Sequence, residues 1–306
     1  MAFSIFAIIH SMISPWATPF QTLQAILTQA NLPIRDESKP PKNMPLDRTA
    51  AHTSSFEVSN WTEFNFETLM EAYGDILSEQ VQAMSHAPTG LPSIRRLADL
   101  KTVGQTYLFP TLQYTLDAGA RHIGIRLGHH LPRFEFLPSQ PLGGLRPAFT
   151  LSSDSQDILV VSCVQFAKQW NSSDLLDTSG SAKHPIGRLV TYCKAAGTRY
   201  GFVLTSSEVV VVRVSMVASS RNFHVEWQAI PWGASGEQTL TVNLGLWFLA
   251  MMSLNGDHRR LCCLTELVPL NVWSRSVDSD GRIVYQHHLS MRKRFDLPAG
   301  GVYAEA

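Results

Sequence analysis

The stretch from Lys183 to Ser215, KHPIGRLVTYCKAAGTRYGFVLTSSEVVVVRVS, contains one helix pattern followed by two strand patterns. Pro185 suits the first turn of a helix, where an N–H has no partner, and Gly197 suits the end. Between them, apolar residues recur at the spacing of a helix with one buried face: Ile186, Leu189, Val190 and Cys193. Residues 200–205 and 209–214 are apolar almost throughout. The sequence therefore predicts a helix next to two sheet strands that are covered on both faces.

The composition is that of a globular protein with few charges. The 306 residues are 44% hydrophobic and 16% charged, and 25 basic residues balance 25 acidic ones. Because a typical chain is about a quarter charged, a large core or a buried partner surface is expected. A net charge of zero gives no overall attraction to nucleic acid or to an anionic membrane. The cysteines form no CxxC pair, which predicts reduced, buried thiols of an intracellular protein: Cys163, Cys193, Cys262 and Cys263.

Two apolar segments bear on location. The first residues, MAFSIFAIIHSMISPWATPF, lack the basic region of a signal peptide, and three interpretations stay open: a targeting segment, a segment docked on the core or a misannotated exon. The run from Leu240 to Leu254 is shorter than the roughly 20 residues that a membrane span needs. It predicts a buried core helix and no membrane span. The expected location is the cytoplasm or nucleus, with secretion left open by the first segment.

The chain divides into a polar beginning and one domain. Residues 1–59 are expected to form a largely irregular N-terminal segment and Pro-rich linker, since residues 31–60 show little periodicity. Residues 60–306 are expected to form a single α/β domain with a helical N-terminal portion. The expected helices are 61–86 and 94–118 (interrupted at Pro110), turns fill 121–144, and strands cover 147–151, 157–166 and 223–230.

Five segments carry a resemblance to a known superfamily. They are RPAF (146–149), VVSCVQFAKQWNSSDL (160–175), TRYGFVLTSSEVVVVRV (198–214), AIPW (229–232) and TLTVNLGLWFLAMM (239–252). In this order they resemble the PD-(D/E)xK nuclease-like superfamily and, more narrowly, a group of fungal proteins of unknown function. The resemblance covers about residues 95–255. It implies an α/β (α+β) fold with a central mixed sheet flanked by helices.

The residues that carry the chemistry of that superfamily are replaced here. Its members hold a divalent metal with a carboxylate after the Pro and a second carboxylate two residues before a Lys, and the metal activates a water. Ala148, Cys163 and Gln165 occupy these positions. Ala has no ligand atom, a thiol is a poor partner for Mg²⁺, and Gln carries no charge. The resemblance therefore implies degenerate catalytic positions without metal or cofactor, converging at one end of the strand pair.

Three functions follow. The first is a catalytically inactive, nuclease-like binding or scaffold module, with a protein or nucleic-acid partner at the vestigial cleft beside Lys168 and Trp170. Packing within the loop is the alternative for Trp170. The second is a divergent metal-dependent nuclease whose ligands come from elsewhere: Glu67, Glu71 and Glu79. The third, implied by the fungal group alone, is an accessory protein of a fungal metabolite gene cluster with no assigned step.

Weaker motifs have simpler interpretations. Arg292, Lys293 and Arg294 form a small basic run that suits either phosphate contacts or a solvated surface. The His129–His130 and His287–His288 pairs are poor zinc sites, since neighbours on a strand point to opposite faces. The Asp278–Gly281 segment predicts a hairpin turn rather than a calcium loop.

Overall fold

The computed structural model describes residues 20–39, 55–83, 90–128, 130–138, 140–176, 183–218 and 222–305. The helices are α1 (Leu23–Leu27), α2 (Phe66–Leu77), α3 (Leu97–Val103), α4 (Phe109–Leu127), α5 (His184–Ala196), α6 (Val242–Ser253) and α7 (Gly256–Arg259). The strands are β1 (Phe20–Thr22), β2 (Arg35–Asp36), β3 (Phe56–Asn60), β4 (Gln80–Gln82), β5 (Ser93–Ile94), β6 (Phe134–Pro138), β7 (Phe149–Ser153), β8 (Ile158–Val164), β9 (Tyr200–Leu204), β10 (Glu208–Met216), β11 (Phe223–Pro231), β12 (Val272–Val277), β13 (Ile283–His287), β14 (Lys293–Arg294) and β15 (Val302–Glu305).

A mixed, seven-stranded sheet forms the centre, in the order β3-β11-β10-β9-β8-β7-β6. Strands β6, β7 and β8 are antiparallel neighbours, and β9, β10 and β11 form a second antiparallel run. The two runs join where β8 and β9 lie parallel, connected by α5. Strand β3 adds a parallel edge beside β11. The expected α/β class with a central sheet and helices is confirmed.

Both faces of this sheet are covered, as the apolar strand patterns predict. The side chains of β10 alternate between two separate core clusters. Val209 and Val211 belong to the cluster that contains α4 and α6. Val210 and Val212 belong to the cluster that contains α5. Because side chains alternate along a strand, β10 contributes to the core on both faces of the sheet, and each face is covered by different helices.

Helix α5 buries the predicted face. Its stripe is at most 1% exposed: Ile186, Leu189, Val190 and Cys193. Lys194 is exposed, as the stripe implies, and Gly197 ends the helix with a left-handed φ of 68°. Arg188 also lies outside the stripe, but it is half-buried rather than exposed, and its guanidinium donates to the Tyr192 hydroxyl at 3.3 Å.

Helix α6 is the buried core helix that the run from Leu240 predicts. Each of its residues from Val242 to Ser253 is buried, and the Thr241 hydroxyl caps it by accepting from the Leu244 N–H at 3.2 Å. Gly245 lets it approach the sheet, since a Cβ there would lie 2.2 Å from Ile230 Cδ1. Within the described parts of the chain, no helix is both long and apolar enough to cross a membrane.

The expectation of an irregular segment up to residue 59 is wrong where the structure describes it. Helix α1 lies in the main core, with Leu23 and Leu27 fully buried. Strand β1 pairs with β4, and β3 is an edge strand of the central sheet. Apolar residues at helical spacing in α1 outweigh the polar surroundings that suggested a linker. Residues 1–19 and 40–54 lie outside the described part.

The boundaries in the helical portion also differ from expectation. The first predicted helix is shorter, ending at Leu77, and Val81 follows on β4. The second helical stretch is interrupted just before Pro110, as expected: a π-helical turn (Gly104–Leu108), in which the Phe109 N–H donates to the Gly104 carbonyl, separates α3 from α4, and Pro110 lies in the first turn of α4. Helix α4 then extends into the first part of the expected turn region and ends at Leu127, and β6 lies later in the same region.

Candidate functional site at the end of strands β8 and β9

The positions that the resemblance assigns to catalysis lie at one end of the central sheet. The Ala148 N–H donates to the Ser162 carbonyl at 2.8 Å, which places Ala148 beside the last residues of β8. The Gln165 N–H donates to the carbonyl of Leu204, the last residue of β9, at 3.0 Å. Ala148, Cys163 and Gln165 are thus close along the strands.

The three side chains do not share one cleft. Cys163 is fully buried in the cluster beneath α5, where it lies with Ile186. Ala148 is buried in the cluster on the α4 and α6 side. The expected convergence of side chains is therefore wrong for this pair. A carboxylate at each position would face a different layer of the core.

Cys163 is held as a neutral thiol. Its Sγ lies 3.7 Å from the Pro185 carbonyl oxygen in the first turn of α5. Burial raises the pKa of Cys163 to about 11, although the positive charge of Arg188 acts in the opposite direction. Because the thiolate is the nucleophile and the metal ligand, this residue supplies neither function near neutral pH.

Residues 36–38 from the N-terminal segment close the same end of the sheet. One oxygen of the Asp36 carboxylate accepts from the Ser38 N–H at 2.9 Å and from the Ser38 hydroxyl at 2.5 Å. The other accepts from the Ser206 hydroxyl, just beyond β9, at 2.6 Å. The Lys168 ammonium donates to the carbonyl oxygens of Asp36 and Ser38 at 3.0 and 2.9 Å. We call these four residues the strand-end cluster.

The strand-end cluster fixes a charged carboxylate. Burial acts to raise the pKa of Asp36, but hydrogen bonds from Ser206 and Ser38, with the charge of Lys168, outweigh it and lower that pKa. The Lys168 Nζ lies 3.5 Å from Asp36 Oδ1. Both Asp36 oxygens are occupied by donors of the chain itself, so the cluster is arranged to hold residues 36–38 on the sheet.

Sequence reasoning missed most of this cluster. Asp36 and Ser38 fall in the segment expected to be a linker, and Ser206 falls between two predicted strands. The available signal lay upstream, where Leu23, Ile26 and Leu27 have helical spacing and tie this segment to the core.

Trp170 is not the ligand-facing aromatic residue of a cleft. Its side chain is 2% exposed and packs in the α5-side cluster with Leu175. The packing alternative is therefore correct. With Trp170 buried and Lys168 bound to residues 36–38, the cation-plus-aromatic surface expected here is absent from this part of the described chain.

Two residues of the basic run near the C-terminus make contacts within the protein. Arg292 donates to the carbonyl oxygens of Met70 and Glu71 at 3.2 and 2.5 Å. Arg294 forms an ion pair with the Glu71 carboxylate at 2.6 Å. Lys293 is exposed on β14. Arg292 and Arg294 thus tie the region around β14 to α2, so neither the phosphate-binding patch nor the solvated surface describes these two residues.

The remaining motifs follow their simpler interpretations. Asp278 begins the turn between β12 and β13, with Gly281 at a φ of 77°, so the hairpin is confirmed. The ring of His287 is fully buried, and its Nε2 lies 2.7 Å from the Leu270 carbonyl oxygen. His129 lies outside the described residues. Glu71 and Glu79 pair with Arg294 and His122.

Among the residues that the structure describes, no group of three His, Cys, Asp or Glu side chains is placed to hold a metal ion. Comparison of the chain with protein-family models, with curated proteins and with solved structures gives no match.

Proposed function

We propose that this chain is a catalytically inactive binding or scaffold module built on a nuclease-like core. Two features support the proposal. The hairpin of β7 and β8, helix α5 and strand β9 follow in the order on which the resemblance rests. The position between the ends of β8 and β9 is occupied by residues 36–38, which the chain itself supplies.

The observation that carries the proposal is how the polar groups of the strand-end cluster are used. Hydrolysis of a phosphodiester needs a metal-bound or base-activated water and a cation at the phosphorus. Here both oxygens of the Asp36 carboxylate accept hydrogen bonds from Ser38 or Ser206, and the ammonium of Lys168 donates to two backbone carbonyls. The groups are of the right type, yet each already makes hydrogen bonds within the protein with which a metal or a phosphate would have to compete.

A divergent metal-dependent nuclease is the second candidate, and one observation favours it. Asp36 and Lys168 form a carboxylate–ammonium pair at 3.5 Å beside the end of β8. If Ser38 and Ser206 release the Asp36 carboxylate when nucleic acid binds, this pair becomes available to a metal and a phosphate. The two candidates therefore differ in what Asp36 does.

Nuclease assays with Mg²⁺ and Mn²⁺ on DNA and RNA, together with Asp36→Asn, separate the two. The binding module predicts no cleavage by the wild type and no heat of Mg²⁺ binding by calorimetry. Asp257→Asn, which removes a carboxylate from α7, is the matched control. Metal-dependent cleavage that is lost in Asp36→Asn and kept in the control overturns the non-catalytic proposal.

A further inference from the structure

A cavity of about 760 Å³ lies between helix α4 and the segment that leads into strand β6. Small-molecule sites typically span about 300–1,000 Å³, so this volume suits one ligand of modest size. The helix contributes residues at intervals of three and four, which together form one of its faces: Asp117, Ala120, Arg121, Gly124, Ile125 and Gly128. The facing segment contributes residues from His130 to Phe134.

The lining is mainly apolar. Ala120 and Phe134 are buried at its base, and Leu131 is half-buried. The Ile125 side chain, on the same helix face, is 78% exposed. Contact with an apolar ligand would remove this aliphatic surface from water. Each Å² of apolar surface buried in this way stabilises the complex by about 25 cal/mol.

Two arginines give the cavity its charge. Arg121 and Arg133 line it, and neither guanidinium has a hydrogen bond or an ion pair with a residue that the structure describes. The acidic residue in the lining, Asp117, already accepts from the Gln113 side chain at 2.9 Å. That side chain also donates to the Phe134 carbonyl at 2.8 Å. Two cations against one carboxylate leave an excess of positive charge in the lining, which favours an anionic ligand group.

The partial negative charge at the C-terminal end of helix α4 is too far from Arg121 to repel an anion bound there. The partial negative charge of a helix C-terminus acts mainly within the last turn. Arg121 lies six residues before Leu127, or about 9 Å along the axis at 1.5 Å per residue. The Gly128 N–H also donates to the carbonyls of Gly124 and Ile125 at this end.

We propose that the cavity is a binding site for an amphiphilic anion, a small molecule with a carboxylate or phosphate head and an apolar body. Arg121 and Arg133 hold the head, and the apolar lining around Ile125 covers the body. This site uses none of the residues of the strand-end cluster, so it stands whether or not the proposed absence of catalysis is correct.

Calorimetry with three probes tests the site: dodecanoate and dodecyl phosphate, each below its micelle-forming concentration, and the uncharged dodecanol, below its solubility limit. Binding of at least one anion, about tenfold or more tighter than dodecanol, is expected, because a charge-assisted hydrogen bond contributes more than a neutral one. The anion that binds more tightly identifies the head group. Equal affinity for dodecanol, or no binding of either anion, overturns the proposal.

The double variant Arg121→Glu with Arg133→Glu should weaken binding of the anion by about tenfold or more without unfolding the protein, because both side chains are exposed. Arg275→Glu, at an exposed arginine on β12, is the matched control and should bind as the wild type does. Circular dichroism checks that each variant is folded. Unchanged anion affinity in a folded double variant places the ligand elsewhere and overturns the assignment.

Discussion

Acidification should destabilise this protein through the buried ring of His287. The ring is fully buried, edge-on to Trp273 at 5.0 Å between ring centroids. Its Nε2 lies 2.7 Å from the Leu270 carbonyl oxygen, and its Nδ1 lies 3.2 Å from the Ser290 backbone N. This network fits a neutral ring that donates from Nε2 and accepts at Nδ1. A proton on Nδ1 would face the Ser290 N–H donor.

The size of the effect follows from the pKa of this ring. Burial lowers the pKa of His287 from 6.5 to about 4, and the charges of His258 and Arg292 act in the same direction. Between these two values the unfolded chain binds the proton and the folded chain does not, so stability falls as the pH falls from 6.5 towards 4. Linkage then gives a loss of about 2 kcal/mol between pH 7 and pH 5 for this group alone.

Urea unfolding at pH 7, 6 and 5 measures this loss in the wild type and in His287→Gln, whose amide can still donate to the Leu270 carbonyl. The variant should be less stable at pH 7 but should lose about 2 kcal/mol less than the wild type by pH 5. His130→Gln, at an exposed histidine, is the control and should follow the wild type. The same pH dependence in His287→Gln and the wild type would refute the reasoning.

Three further predictions test the core. Leu189→Ala should lower the free energy of unfolding by about 2–5 kcal/mol, because it empties a fully buried position, and a loss below 1 kcal/mol in urea unfolding would contradict the packing of α5. Native Cys163 and Cys193 should not react with a thiol reagent until urea unfolds the chain, because burial raises both pKa values; rapid labelling of either, located by mass spectrometry, would contradict this. Gly119→Ala should lower the melting temperature, since its Cβ would lie 2.7 Å from Trp247 Cζ2, and an unchanged melting temperature would show that Trp247 yields freely.

The sequence predicts the parts of the fold in which local pattern and burial agree. The stripe of α5 and the apolar runs of β9 and β10 fall where expected, because each of these elements is buried in the way its pattern requires. Strand β3 shows the limit. Its residues lie among polar neighbours, and its place at the sheet edge depends on parallel pairing with β11, more than 160 residues away. Local periodicity carries no information about such a partner.

The candidate site was harder to predict for the same reason. Asp36 and Ser206 are 170 residues apart, and their contact depends on the packing of the N-terminal segment on the core, to which α1 contributes. The resemblance pointed to one end of the sheet, yet it did not specify which face each side chain takes. Ala148 and Cys163 therefore share a strand end but belong to opposite layers.

Charged side chains have different surroundings in the strand-end cluster and around the proposed binding cavity. In a chain that is only 16% charged, many charges have structural partners. Lys168 holds residues 36–38, and Arg213 is buried against Glu226 at 2.7 Å and the ring of Trp61 at 4.7 Å. Exposed cations elsewhere, such as Lys194, lie on solvated faces. Arg121 and Arg133 instead border an apolar cavity, where a bound anion would neutralise them and cover exposed aliphatic surface. For this reason the calorimetric test of the proposed site is directed at the cavity and not at the strand-end cluster.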